Sequence, residues 1–262
     1  MKSIQQDRPA IVTVPCFSGA PWELDQLTPL SDWPLRTMQL PEGVDDIETY
    51  ADFVEEQVSD LDDYILVGDS FGAVVSLGVA VRRPNGLKAL VLSGGFAANP
   101  VTNPFTKFKL GMACFMPGFL YRQLVLRFHA QSLASPYDAE GEIPWSKRKS
   151  RELFLEYTPH RSYVARTKAA FAADFRDRLG RIEVPTLILT PDHDVLIGEE
   201  AADVMLDGIP NAKEVVLPRT GHMFRFSHPV TYSREIRSFL EKVASPRPVR
   251  RQRSTRVSTF GG

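Results

Sequence analysis

Tyr64-Ile-Leu-Val-Gly-Asp-Ser-Phe-Gly-Ala-Val-Val-Ser-Leu-Gly-Val-Ala80 is the stretch on which the fold turns. Its first four residues form a short apolar run of the kind that makes a buried strand, and from Ser70 onward Phe71, Val74, Val75, Leu77, Gly78 and Val79 are apolar nearly all round. That second part predicts a central, mostly buried helix ending at Arg82-Arg83-Pro84. Between strand and helix lies Gly68-Asp69-Ser70-Phe71-Gly72, a G-x-S-x-G pattern. A turn this sharp holds Ser70 in strained geometry and requires a missing side chain at both glycines, because backbone passes close to each.

The same strand-then-helix rhythm extends in both directions. Ala10-Ile-Val-Thr-Val14 reads as a buried strand that stops at Pro15 and exits into the small-residue loop Cys16-Phe-Ser-Gly-Ala-Pro21. Residues 35–40 predict a further strand, residues 44–61 a helix with Ile47, Tyr50, Phe53, Val54 and Val58 at helical spacing, and residues 87–92 another strand. The rhythm breaks at residues 99–172, where helical stretches rich in Phe, Met, Tyr and Arg replace it. It resumes with strands at 186–189 and 215–217, a helix near 199–206 and a closing amphipathic helix at about 229–243. Strands that are continuous apolar runs and alternate with helices indicate a mainly parallel sheet covered on both faces, an α/β fold.

At 262 residues, 43% hydrophobic and 24% charged, the chain suits one domain carrying an insertion and excludes a disordered, fibrous or disulfide-dense protein. The expected division is a core of residues 1–98 and 173–244, a helical insertion of 99–172 and a disordered basic tail of 245–262. Net charge segregates along these pieces as −9, −3, +6 and +5 respectively. The insertion's excess, which includes Lys147-Arg148-Lys149 and Arg151, reads first as a solvated face. Attraction of an anionic substrate or docking on the acidic core would also account for it. The tail's five arginines read as a short solvated segment, and no nucleic-acid partner is expected. Cys16 and Cys114 stand alone, so neither a zinc site nor a disulfide framework is expected. With no cleavable leader pattern at residues 1–10 and no run of about 18 apolar residues, the expected location is cytoplasmic.

A serine hydroxyl is a weak nucleophile until a base takes its proton and a third group orients the base. Of His129, His160, His193, His222 and His228, only His222 sits in a Gly-His turn just after a strand near the end of the chain. The order nucleophile, acid, histidine then asks for a carboxylate after an earlier strand. Pro191-Asp192-His193-Asp194 occupies that place, with Asp194 the choice, Asp192 the second candidate and a loop-capping role the bland reading. Asp-His-Asp as a metal site lacks a partner cluster. Cys16 as nucleophile lacks a nearby base and reads as a small buried thiol. Asp69 is expected to point away and hydrogen-bond locally. Arg225 is left between reaching a substrate carboxylate and capping a helix.

In these motifs the sequence resembles the α/β-hydrolase superfamily over about residues 9–244. The resemblance implies the α/β-hydrolase fold, with Ser70 as nucleophile, Asp194 as acid and His222 as base. It also implies an oxyanion hole from the backbone N–H of Phe71 and, by position, of Phe17, and a helical cap at 99–172. The loop after the first strand departs from the family's frequent His-Gly, having Pro15-Cys16, but both donors are backbone groups that side-chain divergence leaves intact. The family's leading antiparallel strands are not expected. Met112, Phe115, Met116 and Phe119, with Leu120 and Tyr121, are expected to present an apolar face roofing a substrate pocket, with core packing alone as the alternative. The implied function is a serine hydrolase of the esterase kind, needing no cofactor and cleaving a small to medium carboxylic ester, thioester or lactone. A slow-turnover receptor on the same fold, and a carbon-carbon hydrolase or a cofactor-free lyase or peroxidase-like enzyme, stand as alternatives.

Overall fold

Apolar runs that alternate with helices assemble here into one sheet. The computed structural model describes residues 8–101, 108, 111–112, 114–198 and 200–244. Among these, β1 (Ala10–Val14), β2 (Leu35–Thr37), β3 (Tyr64–Asp69), β4 (Leu87–Ser93), β5 (Thr186–Pro191) and β6 (Ala212–Leu217) form a six-stranded sheet in the order β2-β1-β3-β4-β5-β6. All five pairings are parallel. The longer α-helices among the described residues are α1 (Ile47–Gln57), α2 (Phe71–Ala80), α3 (Leu126–Ser132), α4 (Lys147–Tyr157), α5 (His160–Ala172), α6 (Glu200–Gly208) and α7 (Pro229–Ala244). The chain's direction of travel across the sheet reverses between β1 and β3. In open parallel sheets a crevice opens at such a point, outside the carboxyl ends of the strands.

Side-chain alternation along β3 sorts the core into two layers. Tyr64 and Leu66 face one side, with Val74, Leu77 and Phe175, while Ile65 and Val67 face the other, with Trp22, Phe224, Tyr232 and Ile236. Every residue of α2 is buried, as its all-round apolar pattern requires. Each fully buried aliphatic side chain contributes about 1.5–3 kcal/mol, so this helix and its strands dominate the stability. The edge strands β2 and β6 are largely half-exposed, which is why they tolerate Arg36, Lys213 and Glu214.

Several boundaries differ from the sequence reading. The strand expected over 35–40 ends at Thr37, although Met38 and Leu40 are buried beyond it. The helix expected over 44–61 begins at Ile47 because Asp46 caps it, its carboxylate accepting from the Thr49 N–H at 2.7 Å. The third strand runs on through Gly68 and Asp69, and the sixth starts three residues early, at Ala212. The basic tail 245–262 lies outside the described residues.

The insertion between β4 and β5 is pinched together at its base. Ala98 bridges Asp174 antiparallel, and the Phe175 N–H donates to the Ala97 carbonyl at 2.8 Å. A third apolar cluster joins the inserted helices to the loops of the sheet, bringing Tyr121, Leu126, Phe154 and Tyr163 against Cys16, Met223 and Phe226. Part of the insertion's positive charge faces the acidic core, with Arg161 paired to Glu42 and Lys168 to Asp45. Exposed pairs of this kind contribute about 0–1 kcal/mol each, so apolar packing carries the docking.

Candidate active site

The turn at residues 68–72 has the strain its sequence implies. Ser70 adopts φ 54° and ψ −115°, a region disfavoured for any residue with a Cβ. A Cβ at Gly72 would lie 2.2 Å from the Val14 carbonyl oxygen, and one at Gly68 would lie 2.4 Å from the Gly72 oxygen. The Ser70 N–H donates to the Ser93 carbonyl at 2.7 Å, tying the turn to β4. The hydroxyl is thereby lifted above the carboxyl end of β3, at the point where the chain direction reverses.

Of the five histidines, His222 meets this hydroxyl, with Nε2 2.9 Å from Ser70 Oγ. Its Nδ1 lies 2.7 Å from Asp194 Oδ2. A carboxylate only accepts, so Nδ1 carries the proton and Nε2 is left free to take one from Ser70. Asp194 Oδ1 accepts from the N–H groups of Leu196 and Ile197 at 2.9 and 3.1 Å. The side chains of His222 and Asp194 are each 4% exposed. Burial works against the carboxylate, but the His222 charge, its hydrogen bond and the two amides outweigh this and hold Asp194 below its ordinary pKa. Burial likewise disfavours protonated His222, yet the charge of Asp194 and its hydrogen bond prevail and raise the imidazole above its ordinary value.

Asp192, the second candidate acid, has a different task. It accepts from the N–H groups of Arg219 and Thr220, bracing the turn that presents His222, and pairs with His193 at 2.8 Å. The Asp-His-Asp run therefore diverges, and among the described residues no three His, Cys, Asp or Glu side chains gather as metal ligands would.

Asp69 does not bond locally. It is buried and pairs with Arg225 Nε at 2.7 Å, across 156 residues of sequence. The Arg225 guanidinium lies 4.1 Å from the Trp22 ring centre and 3.8 Å from that of Phe226, and donates to Gln26 Oε1. It is neither a helix cap nor free for a substrate carboxylate; it clamps the loop before β2, the Ser70 turn and the His222 loop together. Burial, and then the charge of Asp69, push the Cys16 thiol up, which keeps it protonated and unreactive as a nucleophile.

The loop after β1 is held by a residue the sequence reading passed over. Arg166, fully buried on α5, donates to the carbonyls of Phe17 and Ser18 at 2.9 and 2.7 Å and spans the face of Gly19. No carboxylate among the described residues pairs with it; the carbonyls of Phe17, Ser18 and Pro41 face its charge. Among the described residues neither the Phe17 nor the Phe71 N–H has a hydrogen-bond acceptor, and both residues line the cavity at Ser70.

That cavity has a volume of about 90 Å³ and is predominantly apolar. Phe96, His129, Leu133, Phe154, Ile197 and Met223 are among its walls. The expected roof is a correction: Met112, Phe115 and Phe119 are 46%, 84% and 69% exposed and do not line it. Met116 instead packs, half-buried, against the cluster of Tyr121 and Phe154. Helical spacing gathers apolar residues on one stripe but does not say what the stripe faces. His129, weighed in the sequence only as a base, gave no sign of lining the cavity, because a lone histidine in a helical segment carries no signal of its own.

A family model described as the alpha/beta hydrolase family matches residues 8–235. Among curated proteins, "Putative carbamate hydrolase RutD" of Klebsiella pneumoniae (strain 342) is 28% identical over 175 residues, 63% of this chain and 61% of that protein. The chain thus spans about three-fifths of the length of that relative. A pimeloyl-acyl-carrier-protein methyl ester esterase of Neisseria meningitidis (strain FAM18) is 27% identical over 225 residues, 80% of this chain and 84% of that protein. Among solved structures, the enol-lactonase of Burkholderia xenovorans LB400 superposes with a TM-score of 0.76 at 18% identity, over 90% of this chain and 92% of that one. No helix among the described residues is long and apolar enough to cross a membrane.

Proposed function

The chain belongs to the alpha/beta hydrolase family, and from that premise we propose that it is a serine hydrolase cleaving a small carboxylic ester, or a related thioester or lactone, through an acyl-enzyme. The observation that carries this reading is the continuous chain Ser70 Oγ, His222, Asp194 at 2.9 and 2.7 Å, opening on an apolar cavity. The names of the relatives point the same way, since a carbamate, a methyl ester and an enol-lactone all present an acyl carbon to a nucleophile.

In the proposed reaction His222 Nε2 takes the Ser70 proton as Oγ bonds to the carbonyl carbon. The carbonyl oxygen becomes an oxyanion facing the N–H groups of Phe17 and Phe71. The imidazolium, stabilised by buried Asp194, returns the proton to the leaving oxygen as its bond to carbon breaks. Water, deprotonated by the same imidazole, then releases the acid and restores Ser70. Residues 99–172 act as a cap whose inner side closes the cavity.

The test is intact mass after treatment with a fluorophosphonate ester. A single adduct mapping to Ser70, lost in Ser70→Ala and strongly slowed in His222→Ala, is the expected result. Folded wild-type protein that takes no adduct, or Ser70→Ala that keeps full ester turnover, overturns the reading.

A further inference from the structure

We infer that the acyl part of the substrate is small and carries a hydroxyl group, and that the imidazole of His129 is the group that holds it. The inference rests on the serine hydrolase reading above and specifies the substrate class of that same site.

Among the described residues, four polar side chains line the cavity besides Cys16: Asp69, Ser70, His129 and His222. Asp69 is neutralised by Arg225, and Ser70 and His222 are bonded to one another. His129 differs, because neither of its ring nitrogens has a hydrogen-bond partner among the described residues, and Nε2 is shut off from solvent. Buried polar groups left unsatisfied cost free energy, and at a binding cavity the missing partner is a ligand group. The ring is wedged among Phe17, Phe154 and Tyr163 at centroid distances of 5.3, 4.7 and 5.6 Å, so its position is set by packing on three sides. This unpartnered polar group of the described wall is thus rigidly held.

The chemistry of the walls narrows the ligand. Among the described residues no Lys or Arg lines the cavity, which disfavours a carboxylate or phosphate inside it. The negative charge that would attract an ammonium group, Asp69, is already paired. Burial, with the nearby His222, lowers the His129 pKa to about 4, so the ring is neutral at ordinary pH and presents one donor and one acceptor nitrogen. A hydroxyl group both donates and accepts, so it pairs with a ring nitrogen whether or not that atom carries the proton. Volume sets the size: a cavity of about 150 Å³ admits benzene, so 90 Å³ holds a group of about four heavy atoms. The leaving group then lies outside, towards the mouth.

The experiment compares kcat/KM for the p-nitrophenyl esters of butyrate, 3-hydroxybutyrate and octanoate in wild type, His129→Phe and His129→Met. The two variants both lack a ring nitrogen, so either one that folds serves. A neutral hydrogen bond predicts a preference of about fivefold to tenfold for the hydroxy ester over butyrate in wild type, with octanoate slowest. In each variant the ratio of hydroxy ester to butyrate falls to about one, a comparison made within the variant so that any general change in turnover cancels. No hydroxyl preference in wild type, a preference unchanged in a folded variant, or octanoate as the best ester would each overturn the inference. Failure of the underlying reading looks different: turnover of all three esters would persist in Ser70→Ala.

Discussion

The loops that end β1 and β3, with the turn before His222, and the helical insertion above them enclose the same cavity by different physical means. The loops are set by local covalent geometry: Gly68 and Gly72 leave no room for a Cβ, Ser70 is held at positive φ, and Asp192 and Asp194 each lock a turn through two backbone amides. The insertion is held by distributed contacts, an apolar cluster with Arg166 threaded under Gly19. In the first region single residues are irreplaceable. In the second, tolerance depends on what each side chain touches.

Glycines make the sharpest test of that contrast. Gly72→Ala pushes a methyl group into the Val14 and Pro15 carbonyls, and a loss of at least about 3 kcal/mol with disappearance of Ser70 labelling is expected. Gly118→Ala in the insertion meets nothing within 4 Å among the described residues, and its melting temperature and labelling rate should stay near wild type. Equal losses at the two sites in thermal melts would erase the distinction.

Arg225→Met comes next. It leaves Asp69 buried without its partner beneath the Ser70 turn, and a cost of about 3–5 kcal/mol is expected in urea unfolding. The double variant Asp69→Asn with Arg225→Met removes the stranded charge and should recover part of the loss. Strict additivity of the two single effects would show that the pair is not coupled.

The smallest expected effects are in pH dependence, where the two regions move a histidine in opposite directions. His222 has an acid partner and is raised, so neutral imidazole, and with it kcat/KM, should fall as pH drops through a value above the ordinary 6.5. His129 has none and is lowered to about 4. Between pH 6.5 and 4 the unfolded chain binds a proton at His129 that the folded chain refuses, so stability falls with pH there, and His129→Phe should flatten that slope. The pair at His222 works oppositely: its stabilisation is full below pH 6.5 and is lost as pH rises through the elevated folded value. Melting curves and the rate profile across pH 4–8 check both. An acid limb below pH 6.5, or an unchanged slope in His129→Phe, would contradict the assignment.

The legibility of the site follows the same division. Strand-turn-helix patterning placed Ser70, and chain order placed Asp194 and His222, because each lies on a short local motif whose geometry its own residues impose. Asp69 with Arg225, and Arg166 with the loop at Phe17, were invisible because partners 156 and 149 residues apart share no local pattern. The expectation for Met112, Phe115 and Phe119 failed for a related reason, since helical spacing names a face and not its neighbour.

Sequence by itself determined the parallel α/β layering and the strained Ser70 turn, because period and glycine placement act over a few residues. Tertiary structure alone decided which side chains wall the cavity, how the charges of Asp69 and Arg166 are accommodated underneath it, and that His129 faces it without a partner. Those outcomes depend on close packing and electrostatics between segments far apart in the chain, where a shift of an ångström changes which atoms meet.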